Sequence, residues 1–214
     1  MSGQEDWARE TEDRVLTAAL PHVRALGWTR SLVIVAARDV GLSPADAELL
    51  FPGGARDLAA LLSARHDRAA LEALSELDSA SLKVRERIGR AVLARCDAAM
   101  ADEAAVRRLA GWLSFPANLA LGLHLVWTSA DRLWRWAGDE ATDENHYSKR
   151  ALLSEILVST LATRLAGGES AAAAHLDRRI AGVMAFERWK GSIRPAALAE
   201  RAAAALGRVR YGRR

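Results

Sequence analysis

An all-α fold follows from three observations on the sequence. Half of the residues are hydrophobic, with alanine and leucine dominating and aromatics other than tryptophan few, a composition that favours helix. Apolar residues recur at the helical period through nearly the whole chain. Strand signals are confined to residues 32–35, which sit inside a better helical pattern. At 214 residues the chain can bury a proper core, as one domain or as a small unit fused to a larger one.

Taken in order, the first helix is expected over 9–26, with Leu16, Ala19, Leu20 and Val23 inward, a bend at Pro21 and Gly27 as its close. Thr29 can cap a second helix that runs to Val40, where Gly41 breaks it. Ser43-Pro44-Ala45-Asp46 reads as a strong helix start. The serine can cap the first turn, proline suits the first helical position because no N–H is needed there, and Asp46 suits the third. This short third helix ends at Phe51-Pro52-Gly53-Gly54, after which Leu58, Leu61, Leu62, Ala69 and Leu74 trace a long fourth. Val84, Ile88, Val92 and Cys96 form the stripe of a fifth helix, and Val106, Leu109, Ala110 and Leu113 that of a sixth, with Arg85, Glu86, Arg87 and Arg107 outside.

The central stretch, 114–165, organises the rest. Residues 115–127 are apolar apart from Asn118 and His124, so a helix here is expected to be buried, with His124 a core histidine. It is too short to cross a bilayer, which needs about 20 such residues. Trp127, Ala130 and Trp134 keep one face at helical spacing, while Arg132, Arg135 and Trp136 fall elsewhere and Trp136 is expected to face out. Gly138 ends the helix, and Asp139, Glu140, Thr142, Asp143, Glu144 and Asn145 make an acidic corner. A second apolar run then places Leu153, Ile156, Leu157, Thr160 and Leu161 on one stripe. Two antiparallel helices are expected, with the corner as the surface most open to use. Gly167-Gly168 ends the second, and a last helix over 170–190 carries Leu176, Ile180, Val183 and Met184 inward.

The net charge of +3 is mild, but its distribution is not even. After Glu187 come Arg188, Lys190, Arg194, Arg201, Arg208, Arg210, Arg213 and Arg214 against the single acid Glu200. At 100° per residue, Arg194, Arg201 and Arg208 edge a stripe that includes Leu198, Ala202, Ala205, Leu206 and Val209, which suits a helix lying on anionic lipid. Cys96 stands alone, so no disulfide framework forms within one chain. The acidic N-terminus lacks a signal-peptide layout, and no segment is long enough to span a membrane. The expected location is cytoplasmic, peripheral to the inner face of a membrane.

Chemistry-bearing motifs are missing. No Gly-x-Ser-x-Gly, Gly-x-Gly-x-x-Gly or phosphate loop occurs, and no His-x-x-x-His or paired cysteine supports a metal. Asp143, Glu144 and His146 could form an acid/base or metal cluster, but acids in the first turn of a helix also simply complement its dipole. The expectation is a protein without enzymatic activity, catalytic residues, cofactor or metal, other than a bound lipid as ligand.

The first helices, VLTAALPHVRALGWTRSLVIVAARDVGLSPADAELLFPGGARDLAALL, resemble the N-terminal helix-turn-helix domain of tetracycline-repressor-type regulators. Such a regulator would read DNA with the third helix, which here offers Asp46 and Glu48 and no Lys or Arg, so no specific nucleic-acid partner is expected. A ligand-responsive transcription regulator is the alternative reading.

The run W-R-W-A-G-D-x-x-T-D-x-N-x-Y-S-K-R, from Trp134 to Arg150, resembles the signature of the ubiquinone-biosynthesis lipid-binding family, that of the ninth Coq protein. Phe51-Pro52-Gly53-Gly54 and the later LDRRIAGVM carry the same resemblance. It implies a regulator-like helical fold, a homodimer, an apolar pocket for an isoprenoid lipid or quinone intermediate, and delivery of that lipid to the di-iron hydroxylase of the quinone pathway. The implied division is 1–54 as a helix-turn-helix-like unit, 55–191 as the lipid-binding and dimerisation region, and 192–214 as a basic amphipathic tail. The lipid site is expected at Leu119, Leu123, Val126, Trp127, Leu153 and Leu157, and the partner site at Trp136, Asp143, Asn145, His146 and Tyr147. Membrane contact falls to Arg194, Leu198, Arg201 and Arg208. Where the family commonly has a large aromatic residue, this chain has His146, and Glu144 replaces an aromatic or aliphatic residue.

Overall fold

The computed structural model describes the backbone of residues 2–78, 81–139 and 144–192, and the side chains from residue 6 to 185 within those segments other than 144 and 145. The described residues form eight helices and no strand, as the composition and periodicity require. They are α1 (Ser2–Leu26), α2 (Arg30–Asp39), α3 (Pro44–Leu50), α4 (Ala55–Ala73), α5 (Val84–Met100), α6 (Glu103–Leu113), α7 (Pro116–Trp136) and α8 (Glu144–Ser192). This all-helical order is compatible with the regulator-like fold expected. None of these helices is long and apolar enough to cross a membrane.

The boundaries have local causes. Helix α1 starts at Ser2, earlier than its apolar stripe implies, and continues through Pro21. The Thr29 hydroxyl accepts from the Leu32 N–H. At α3 the Ser43 hydroxyl accepts from the Asp46 N–H while Asp46 accepts from the Ser43 N–H, both at 3.2 Å, and such a reciprocal cap is worth about 1 kcal/mol. Gly168, at φ 80°, breaks α8 into arms 144–167 and 169–192. The second arm folds back along the first, since Nε2 of His175 lies 3.0 Å from the Ser159 hydroxyl and Arg179 donates to Glu155 at 2.5 Å.

Two apolar cores share α4. The first joins Val15, Leu16, Ala19 and Val23 of α1 to Leu32 and Ala36 of α2, Leu58 and Leu62 of α4, and Leu109 of α6. The second joins Leu74 to Ile88, Val92 and Cys96 of α5, Ala130 and Leu133 of α7, and Leu153, Ile156, Leu157 and Leu176 of α8. Some stripe assignments shift by a residue at helix edges. Ala70 is buried in place of Ala69, Ala110 is exposed, and Val84, at the first turn of α5, is half exposed.

The main correction concerns α7. Its N-terminal half is not buried: Phe115, Leu119 and Leu123 are 64%, 50% and 60% exposed, and His124 is a surface residue rather than a core histidine. All-round apolarity dictates that a surface be covered, and what covers it need not be the chain itself. Trp136, expected to face out, is half-buried against the second core, because it lies about 60° round α7 from the buried Leu133.

Candidate functional site

Helix α7 and the first arm of α8 run antiparallel. Arg150 reaches Asp131 near the closed end of the pair, while Leu123 and Leu165 share a cavity near the other. That cavity, about 440 Å³, lies between α5, α6, α7 and α8. Its mouth is formed by the exposed Leu119, Leu123 and Val158. Val126, Leu157, Leu161 and Val106 wall it, and Cys96 and Ala99 lie at its buried end. Ligand pockets span roughly 300–1,000 Å³ and are lined mainly by such side chains. Burial pushes the Cys96 thiol up to about 12, so it is an inert wall atom.

Of the residues assigned to the lipid site, Leu119, Leu123, Val126 and Leu157 come together here. Leu153 does not, because one turn back along α8 it has passed the cavity's end; it lines a second hollow, about 360 Å³, with Trp134, Ile156 and Ile180. Trp127 lies about 80° round α7 from Leu119 and lines neither. Its ring packs instead on Tyr147, centroids 6.2 Å apart.

The buried end of the cavity is polar, which sequence reasoning missed. Asp67 is 1% exposed and takes hydrogen bonds from Arg95 Nε (2.6 Å), the Ser129 hydroxyl (2.7 Å) and Arg132 Nη1 (2.8 Å). Beside it, Nε2 of the buried His66 lies 2.9 Å from Asp102. A signal was present: Leu62, His66 and Ala70 share one stripe at i, i+4 spacing, so a histidine occupied a core position. Burial holds the His66 pKa below its ordinary value, against the opposing pull of the Asp102 hydrogen bond, with Arg95 and Asp67 also facing the ring.

At the corner, Arg150 is only 2% exposed. Its Nε donates to Asp131 at 2.6 Å, and its Nη1 donates to Asp139 at 3.0 Å and to the His146 carbonyl at 3.2 Å. Lys149 donates to Asp139 at 2.6 Å and lies over the Trp134 ring, whose N–H donates to the Lys149 carbonyl. Burial alone would raise the Asp139 pKa, but the hydrogen bonds from Lys149 and Arg150 outweigh it and hold the carboxyl below the usual range. These bonds pin the first turn of α8, so Tyr147, 65% exposed, is displayed with His146 edge-on at 5.2 Å. Asp143 lies outside the described residues, as does the side chain of Asn145. Arg194, Leu198, Arg201 and Arg208 also lie outside them. Among the described residues no group of three His, Cys, Asp or Glu side chains could hold a metal.

Acid should destabilise the fold in two stages. His66 is harder to protonate folded than unfolded, so its contribution is full above its ordinary value of 6.5 and declines as pH falls from there towards the lower folded value. Asp139 is likewise depressed, so its contribution holds above 3.8 and is lost below. Melting temperature against pH should fall in both windows, and His66→Gln should remove the upper fall alone. A flat profile between pH 7 and 5 in the parent chain would contradict the assignment.

Comparison with known proteins adds a family. Residues 119–187 match the family model described as COQ9. The human protein named ubiquinone biosynthesis protein COQ9, mitochondrial, is 29% identical over 174 residues, covering 74% of this chain and 53% of the relative. The cattle protein of that name is 30% identical over 174 residues with the same shares, and the Drosophila melanogaster one 26% over 168 residues, covering 74% and 51%. The chain spans about half the length of the curated relatives it matches. The matched segment contains the mouth of the cavity, the Arg150 cluster and the 134–150 motif that carried the family resemblance, which is thereby borne out.

Proposed function

The chain is a relative of the COQ9 proteins through its 119–187 segment, and from that premise we propose that it is a lipid-binding accessory protein of ubiquinone biosynthesis. It holds an isoprenoid lipid or quinone precursor in the cavity beside α7 and presents it to a partner hydroxylase at the inner face of a membrane. The observation that carries this reading is the open apolar cavity walled by Leu119, Leu123, Val126 and Leu157. A folded protein has reason to leave large aliphatic side chains exposed around a concave surface when a ligand or partner covers them. The regulator alternative has nothing comparable behind it: α3 carries Asp46 and Glu48 and no basic residue to meet phosphate.

Native mass spectrometry of the purified protein, with extraction of its lipids, tests the proposal. Copurifying prenyl lipid is expected, and Leu123→Glu should remove it without unfolding the chain, since Leu123 is already 60% exposed and a surface glutamate costs little. Unchanged lipid content in folded Leu123→Glu would place the ligand elsewhere.

Partner docking through the corner has its own measurement. Tyr147→Ala should weaken hydroxylase affinity about tenfold or more, as aromatic anchors do, while leaving melting temperature and lipid content in place. His146→Trp should strengthen binding by restoring the large aromatic residue common in the family. Equal affinities for all three proteins would remove the corner from the partner surface.

A further inference from the structure

The lipid cavity does not end in apolar side chains. Its buried end is lined by Ser63, His66, Arg95 and Ser129. The wall they form is thin: Ser63 and Leu125 also line a separate, more polar cleft of about 520 Å³, whose surface includes Asp67 and Arg132. A salt-bridged partition thus separates two hollows.

Hydrogen-bonding capacity remains unspent there. Arg95 donates Nε to Asp67 and Nη2 to the Ser63 hydroxyl and carbonyl, and its Nη1 makes no hydrogen bond to the described residues. The Ser63 hydroxyl, accepting from Arg95, retains its own proton to donate. The Asp102 carboxylate can only accept, so neutral His66 gives it the Nε2 proton and keeps an acceptor lone pair on Nδ1. Formal charges cancel across the partition: Asp67 and Asp102 stand against Arg95 and Arg132. An anionic head would therefore be buried without a spare counter-charge, which is costly, whereas a neutral oxygen would meet donors already in place. At about 440 Å³ the cavity takes a drug-sized group, so a long prenyl tail must leave by the mouth, where exposed Leu119 and Leu123 extend the apolar surface.

We propose that the Ser63–Arg95 end of the cavity is a head-group site that takes a neutral, oxygen-bearing head first, such as a phenol or quinone carbonyl, with the prenyl tail leaving over Leu119 and Leu123. This rests on the lipid-binding reading above and adds to it the orientation of the ligand and the residues that hold its head. It orders the probes. A C15 prenyl phenol should bind the purified full chain about tenfold more tightly than a hydrocarbon of the same length, in line with a hydrogen bond gained at a buried site, and a C15 prenyl monophosphate should gain nothing over the hydrocarbon. In Ser63→Ala/Arg95→Lys the ratio of phenol to hydrocarbon affinity should fall towards one. Equal binding of phenol and hydrocarbon to the parent chain would overturn the head-group site and leave lipid binding standing. Tightest binding of the phosphate would overturn the neutral head, and failure of all three probes to bind would overturn the lipid-binding reading as well. A ratio that stays near tenfold in the folded double variant, or in Ser63→Ala alone where the double variant does not fold, would overturn the Ser63–Arg95 site.

Discussion

Arg150→Ala should lower the unfolding free energy by about 3 kcal/mol or more in a denaturant titration, because removing one partner of a buried charge cluster leaves the others uncompensated. Arg150 is 2% exposed, and its guanidinium joins Asp131 of α7, Asp139 beyond that helix's end and the His146 carbonyl of α8. The loss should sit near the lower end of the range for such pairs, since Asp139 retains Lys149 and Asp131 retains Arg135. Arg150→Lys keeps the charge but cannot fork to both aspartates, so it should recover part of the loss only. Arg135→Ala is the control: its side chain is 71% exposed, and its pair with Asp131 should be worth less than about 1 kcal/mol. Because Arg150 ties down the first turn of α8, its loss should also weaken the proposed partner docking at Tyr147, and by more than the fall in the folded population accounts for. An Arg150→Ala protein as stable as the parent would mean that the cluster carries no net stabilisation.

Asp67→Ala should be comparably damaging, by about 3–5 kcal/mol. The carboxylate is almost wholly buried, and it accepts from α5 through Arg95 and from α7 through Ser129 and Arg132. Its removal leaves the nearly buried Arg95 without a counter-charge and the buried Ser129 hydroxyl without an acceptor. Arg132→Ala should cost far less, because that side chain is 40% exposed and water replaces its partner. Asp67→Asn preserves shape and an acceptor but not charge, and should fall between the two. If Arg132→Ala proved as destabilising as Asp67→Ala, the partition would be held from its solvent side and not by the buried Asp67–Arg95 pair.

Much of the helical framework was legible because helix ends and apolar stripes are local properties. The Ser43–Asp46 cap, the stripe Leu153, Ile156, Leu157 and Thr160, and the break at Gly167-Gly168 each involve residues within a few positions of one another. The corner was legible as a motif, and it lies inside the segment that matches the family model. Burial of the 115–127 run was misjudged for a physical reason: periodicity reports how much apolar surface a helix has, not which neighbour arrives to cover it. Around Leu119 and Leu123 none does, and the uncovered surface becomes the mouth of a cavity.

The sequence by itself determined the helices, their caps, the acidic recognition-like helix α3 and the family to which the central segment is related. Only the tertiary structure decided that Asp67, Arg95, Ser129 and Arg132 meet at one point, and that Arg150 enters the core between two aspartates. Arg150 stands three residues before Leu153, on the edge of its stripe, and a lone charge at such a position is read as solvated until a partner is known. The partners come from other helices, 62 residues away for Asp67 and Ser129 and 19 for Arg150 and Asp131. A buried charge is tolerable only where opposite charge is delivered to it, and that delivery depends on how helices pack rather than on any spacing along the chain.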